Sequence, residues 1–214
     1  MKFIKNHLFL ISLVLVMGAS TFLEDILYGG VISLILLTFC VCLGLLILSI
    51  HRHLFWIVIK FSLLIIGFNY ITIRTITPDG LALKFLSLTI LFLVYAGLFF
   101  YLIMTTRSLS FSDISNAISV YLLIGIAFGF LYSFIEMIHP GAFIYNRPEA
   151  DDISGDMIYF SFVVLTTLGF GDILPVYKVA KVIVMMEAVL GVLYIAIMIG
   201  RLVGIGPAHH KKNQ

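Results

Sequence analysis

The chain is expected to fold as an all-α membrane protein, with six helices crossing a bilayer and one shorter helix entering it without crossing. Three observations carry that expectation. Of the 214 residues, 62% are hydrophobic and 11% charged, with a mean hydropathy of +1.17, whereas a soluble domain has about 25% charged residues. Six apolar segments approach the roughly 20 residues that a helix needs to span a hydrocarbon core. A further apolar stretch, Met157 to Thr166, is too short to span, and it runs into Thr166-Thr167-Leu168-Gly169-Phe170-Gly171-Asp172.

The six segments fall at about 8–22, 31–50, 54–73, 85–104, 117–138 and 179–203. The first is short and can extend back through His7. Lys2, Lys5, an apolar run and Gly18-Ala19-Ser20 resemble a secretory signal. Met17 is bulky where cleavage wants a small residue, so the segment is kept as a membrane helix. The breaks carry Glu24-Asp25 and Gly29-Gly30, then His51-Arg52-His53, then Thr77-Pro78-Asp79-Gly80. The next runs from Arg107 to Asp113, where Ser112 or Asp113 can cap the fifth helix, and the last follows His139-Pro140-Gly141.

Threading the helices alternately with the N-terminus inside puts Lys2, Lys5, Arg52, Arg107, Arg201, Lys211 and Lys212 on the cytoplasmic side. Arg74, Lys84, Arg147, Lys178 and Lys181 are then external, so the positive-inside bias is weak. The acids segregate more sharply. Glu24, Asp25, Asp79, Glu136, Glu149, Asp151, Asp152, Asp156 and Asp172 are external and Asp113 alone internal, an acidic outer mouth that concentrates cations. This predicts a multi-pass protein of the cell membrane with both termini cytoplasmic.

Several function classes are disfavoured. A formal net charge of +2 with no basic run among aromatics gives no footprint for nucleic acid. Cys40 and Cys42 lie two apart in an apolar run, on different helix faces, with no neighbouring ligand-type residue. No nucleophile elbow, nucleotide fingerprint or calcium loop is present, so neither an enzyme nor a resident cofactor is expected.

In the seventh stretch Ser154-Gly155-Asp156 opens the apolar run, and Ser154 or Asp156 can cap its first amides. About 12 residues at 1.5 Å each reach only about 18 Å, so the following residues end within the bilayer. The helix C-terminus there directs negative partial charge toward a cation. Gly169 and Gly171 flank one aromatic, a spacing that lets successive backbone carbonyls face one axis and replace an ion's water shell.

This stretch resembles the pore domain of potassium channels, whose motif T-x-G-[YF]-G-D is matched by Thr167-Leu168-Gly169-Phe170-Gly171-Asp172; the resemblance covers roughly 117–203. It implies a homotetramer, each chain giving one pore helix (155–166), one filter (167–172) and one lining helix. It implies that K+ is coordinated by the carbonyls of Thr167, Leu168, Gly169 and Phe170 and by the Thr167 hydroxyl. Thr166, Gly171 and Asp172 support the filter, with Tyr159 and Phe160 in an aromatic cuff. Phe170 lacks the hydroxyl of the commoner tyrosine, and Leu168 replaces a β-branched residue that would restrain the backbone more. Val163 stands where some relatives carry a glutamate paired with the filter aspartate, so Asp172 needs another partner or water.

Gly191, 19 residues after Asp172, has the spacing of the family's gating hinge; the alternative is close helix packing, with Gly200 and Gly204 in the same small-residue pattern. Glu187, one turn earlier, either lines the cavity below the filter and favours cations, or is protonated and bonded to a neighbouring helix. The fourth helix carries only Lys84, at its external end, so residues 1–110 form a peripheral bundle without voltage sensing and residues 111–214 the pore domain. The expected partners are K+, membrane lipid and three further copies of the chain. The rival readings are a weakly selective cation channel, a broken-helix transporter, which needs a second interrupted segment that is not seen, and a non-conducting scaffold or regulatory subunit.

Overall fold

The computed structural model describes residues 2–22, 38–44, 52–75, 78–105, 111–145 and 153–205. Of the expected features, the acids Glu24, Asp25, Glu149, Asp151 and Asp152 lie outside the described residues, as do Arg107, Arg147, Lys211, Lys212 and His51-Arg52-His53 apart from the backbone of Arg52 and His53.

Among the described residues seven helices follow one another: α1 (Lys2–Phe22), α2 (38–44), α3 (Arg52–Thr75), α4 (Pro78–Thr105), α5 (Phe111–Ile138), α6 (Ile153–Leu165) and α7 (Lys178–Ile205). Between them lie two short strands, β1 (Phe143–Tyr145) and β2 (Ile173–Pro175). Among the described residues three helices are long and apolar enough to cross a membrane: α4 over Gly80–Thr105, α5 over Asp113–Ile138 and α7 over Lys178–Arg201. Shorter apolar stretches occupy Asn6–Gly18 in α1, Val58–Ile71 in α3 and Ile153–Leu165 in α6.

The helices exceed the expected segments where their ends are polar. Helix α1 extends through His7 back to Lys2. Helix α4 begins at Pro78, where a break was expected, because a proline at the first helical position sacrifices an amide that has no intrahelical partner anyway. Helix α5 begins at Phe111, so Asp113 lies inside its first turn, facing the helix dipole, instead of capping it. Helix α6 has 13 residues, a length of about 20 Å, and it starts two residues before the expected 155.

Helix α5 is the central post. Helix α4 runs along it, α1 and α6 lie on it, and α3 packs outside α4. One continuous apolar cluster joins Phe9 and Leu13 of α1, Cys40 of α2, Val58 of α3, Phe99 of α4, Ile126 of α5, Ile158 of α6 and Tyr194 of α7. This cluster includes residues on both sides of the expected boundary at residue 110. Tyr95 ties three helices: its hydroxyl donates to the Val41 carbonyl at 3.3 Å and lies 3.3 Å from Ser62 Oγ.

Helix α6 can lie against α5 because α5 is small at the crossing. A Cβ on Gly129 would stand 2.6 Å from Ile158 Cα, and one on Gly125 would stand 2.5 Å from the tip of the Phe162 ring. Both are buried, as is Ser133 one turn further, whose hydroxyl returns to the Gly129 carbonyl at 3.0 Å. Small residues four apart let two helix backbones approach closely where no water can be expelled to drive association.

Candidate functional site

The loop that follows α6 is held by the end of that helix. The amide of Thr167 donates to the Val164 carbonyl at 2.9 Å, and those of Leu168 and Gly169 donate to Val163 at 2.9 and 3.4 Å. The Phe162 carbonyl accepts both the Thr166 amide and, at 2.6 Å, the Thr166 hydroxyl. The Leu165 carbonyl accepts the Tyr121 hydroxyl from α5 at 3.0 Å. The final carbonyls of α6 are thereby occupied. None of the described residues donates to the carbonyls of Thr167, Leu168, Gly169 or Phe170.

Backbone handedness alternates along the same residues. Thr167, Gly169 and Gly171 have φ of +61°, +59° and +76°, and no other non-glycine residue described has positive φ. In an extended chain successive carbonyls point to opposite sides; inverting the handedness at every second residue cancels that alternation and turns them to one side. Glycine adopts this without strain, but Thr167 costs about 1–2 kcal/mol, which the surrounding bonds must hold in place. The loop is exposed from Thr166 to Phe170, with Leu168 and Phe170 at 60% and 65%, so the described residues cover less than half of either.

Asp172 has a partner. Its Oδ2 accepts the Tyr159 hydroxyl at 2.8 Å, and its Oδ1 accepts the amide of Ile173 at 3.1 Å. Tyr159, expected in an aromatic cuff, thus bonds directly to the acid that closes the motif. It precedes Val163 by four residues on the same face of α6, so a phenol one turn away reaches the acid that Val163 cannot bond. Phe160, also expected in the cuff, packs within its own chain. It is buried with Tyr132 of α5 and Phe143 of β1, their centroids 5.4–5.6 Å apart.

The chain leaving the loop is clamped by the strands. They pair antiparallel, Phe143 opposite Pro175, Ile144 opposite Leu174 and Tyr145 opposite Ile173. The Ala142 carbonyl accepts the amides of Val176 and Tyr177, and the His139 and Tyr177 rings lie 4.5 Å apart. Glu136, at the end of α5, accepts the Gly141 amide at 2.8 Å and the Phe143 amide at 3.0 Å. Sequence reading missed this clamp, because three-residue strands carry no periodic signal.

Helix α7 touches the end of α6 at Gly191. A Cβ there would stand 2.5 Å from the Leu165 carbonyl oxygen, so close approach alone requires glycine, and α7 continues without interruption through this position. One turn earlier Glu187 is fully buried. The Tyr132 hydroxyl donates to its Oε2, and its Oε1 is hydrogen-bonded to Ser161 of α6, whose Oγ also lies 2.7 Å from the Gly125 carbonyl. The carboxyl therefore faces α5 and α6 and has no surface on which to meet a passing ion. Tyr132 and Ser161 went unnoticed in the sequence, since a hydroxyl on an apolar helix gives no sign of which neighbour it meets.

At the far end of α7, the Arg201 guanidinium donates to the carbonyls of Ile103 and, at 3.2 Å, Met104. These lie in the last turn of α4, where carbonyls lack intrahelical donors. Tyr194 adds a bond to the Ala117 carbonyl at 2.6 Å.

No curated protein and no solved structure matches the chain significantly. Residues 119–205, which hold α6, the loop and α7, match the family model described as "Ion channel".

Proposed function

We propose that four copies of this chain form a potassium channel, passing K+ passively across the cell membrane along an axis lined by the carbonyls of Thr167, Leu168, Gly169 and Phe170 and by the Thr167 hydroxyl. The observation that carries this reading is the alternation of φ at Thr167, Gly169 and Gly171, together with four successive carbonyls that accept no bond from the described residues. Carbonyl oxygens free of internal donors suit a monovalent cation that must bind and leave quickly. A single chain provides one wall of such a path. No cofactor is needed, since the permeant ion is the only ligand.

The distribution of apolar surface supports assembly. In the most apolar window of α7, 22% of residues are buried, against 67% in α5. Val182, Met185, Met186, Val189 and Leu193 of α7 are exposed, as are Leu168 and Phe170 of the loop. Copies arranged about the loop axis would cover the loop side chains and part of α7 and leave the rest to lipid. In this arrangement α1, α2, α3 and α4 complete six crossings with α5 and α7, both termini are cytoplasmic, and residues 1–110 form a peripheral bundle without voltage sensing. Thr166, Gly171, Asp172 and Tyr159 hold the filter, and Phe160 backs α6.

The test is ion flux from liposomes holding the purified full chain. Rubidium-permeable, barium-blocked flux with K+ exceeding Na+ is the expected result. Equal K+ and Na+ flux would replace it with a weakly selective cation channel. Absence of flux would replace it with a non-conducting subunit.

A further inference from the structure

Ser161 Oγ stands between two oxygens. One is the Gly125 carbonyl at 2.7 Å and the other is Oε1 of Glu187. A serine hydroxyl has a single proton, and a peptide carbonyl can only accept. If Ser161 gave its proton to Glu187, its oxygen would lie 2.7 Å from the Gly125 oxygen with no proton between them, two acceptors in contact inside the protein. If it gives that proton to Gly125, the contact with Oε1 needs a proton from the glutamate. The other carboxyl oxygen is already served, since Tyr132 donates to Oε2.

We infer that Glu187 is a neutral carboxylic acid that donates to Ser161, completing a one-way chain of hydrogen bonds from Tyr132 through Glu187 and Ser161 to the Gly125 carbonyl. Its surroundings agree. On α5 the titratable groups facing it are Tyr132 and Tyr121, on α6 its polar neighbour is Ser161, and it bonds to no Lys, Arg or His among the described residues. With no cation beside it and no exposed surface, the ionised form would be a bare charge at membrane depth, and the neutral form satisfies every oxygen in the chain.

Glu187 is thereby a positioning residue. It fastens α6, which presents the loop, to α5 and α7 at once, one turn before α7 meets Leu165 at Gly191. The one-way order makes glutamine an adequate substitute: its amide nitrogen donates to Ser161 and its oxygen accepts from Tyr132. Aspartate, one methylene shorter, cannot span both partners.

Infrared spectroscopy of the full chain in lipid, with glutamate carbon-labelled, reads the proton directly. The four glutamates are Glu24, Glu136, Glu149 and Glu187. At neutral pH one label-sensitive carbonyl band of a protonated carboxylic acid is expected. It should vanish in Glu187→Gln and move to higher frequency in Tyr132→Phe, where one bond to the carbonyl oxygen is lost. Glu187→Gln should keep wild-type thermal stability, which Glu187→Ala should lose. Carboxylate bands alone at neutral pH, or a protonated band unmoved by Tyr132→Phe, would overturn the inference, and the second test holds even if the glutamine variant fails to fold. The readout is independent of which ion passes, so it stands or falls apart from the proposed function.

Discussion

Replacing Tyr159 with phenylalanine removes the hydrogen bond from its phenol to Asp172 and leaves the ring in place. The bond is 2.8 Å long and links α6 to the end of the loop, spanning the residues whose carbonyls accept no bond from the described residues. Bonds to charged groups contribute about 1.5–3 kcal/mol when shielded. Tyr159 is 41% exposed and Asp172 half-buried, so about 1 kcal/mol is the suitable figure. That is roughly a fivefold change in the balance between the ordered loop and its collapsed alternatives. Single-channel recording in planar bilayers should show a mean open time or open probability about fivefold lower, with the unitary conductance unchanged. Asp172→Asn should do no less damage, since an amide whose oxygen accepts from the phenol turns its nitrogen, a donor, onto the Ile173 N–H. If Tyr159→Phe gates as the wild type does, the phenol does not hold the loop.

Three other substitutions test the packing that positions the site. Gly129→Ala places a methyl 2.6 Å from the Ile158 Cα, which is backbone and cannot yield, so a loss of about 1–3 kcal/mol is expected in thermal unfolding in detergent. Gly125→Ala meets only the tip of the Phe162 ring and should cost clearly less; equal losses would refute the close crossing of α5 and α6. Gly191→Ala would press on the Leu165 carbonyl oxygen, so flux should fall even if α7 never bends there, and unchanged flux and stability would show that the contact is not made. Arg201→Ala strips two carbonyls of α4 of their donor, and amide hydrogen exchange should accelerate at the adjoining ends of α4 and α7; unchanged exchange would mean that the two ends are not joined.

What could be read from the sequence divides by the range of the interaction. The half-helix was legible because its apolar run is bounded by Ser154 and Gly169, and the loop because glycines at 169 and 171 declare a backbone that other residues resist. The long apolar helices α4, α5 and α7 declared themselves by composition, and their ends did not, because Pro78 reads both as a break and as a first helical residue. The contacts were hidden. Nothing local to Tyr132, Ser161 or Tyr121 shows that their hydroxyls converge on Glu187 and Leu165 from other helices. Gly125 and Gly129 did lie four apart and could have been noticed as a crossing. The packing of Phe160 inside its own chain was hidden as well, because adjacent helical residues point about 100° apart, and choosing which of two aromatics faces α5 needs the position of that helix.

The central claim is that four loops meet with the carbonyls of Thr167 to Phe170 facing a shared axis. A density map of the purified full chain in lipid with K+ present tests it most directly. The account predicts fourfold symmetry, a row of ion densities on the axis beside residues 167–170, and Tyr159 bonded to Asp172 behind it. A monomer, or a fourfold assembly whose axis is lined by side chains of α7 with those carbonyls turned away, would contradict it.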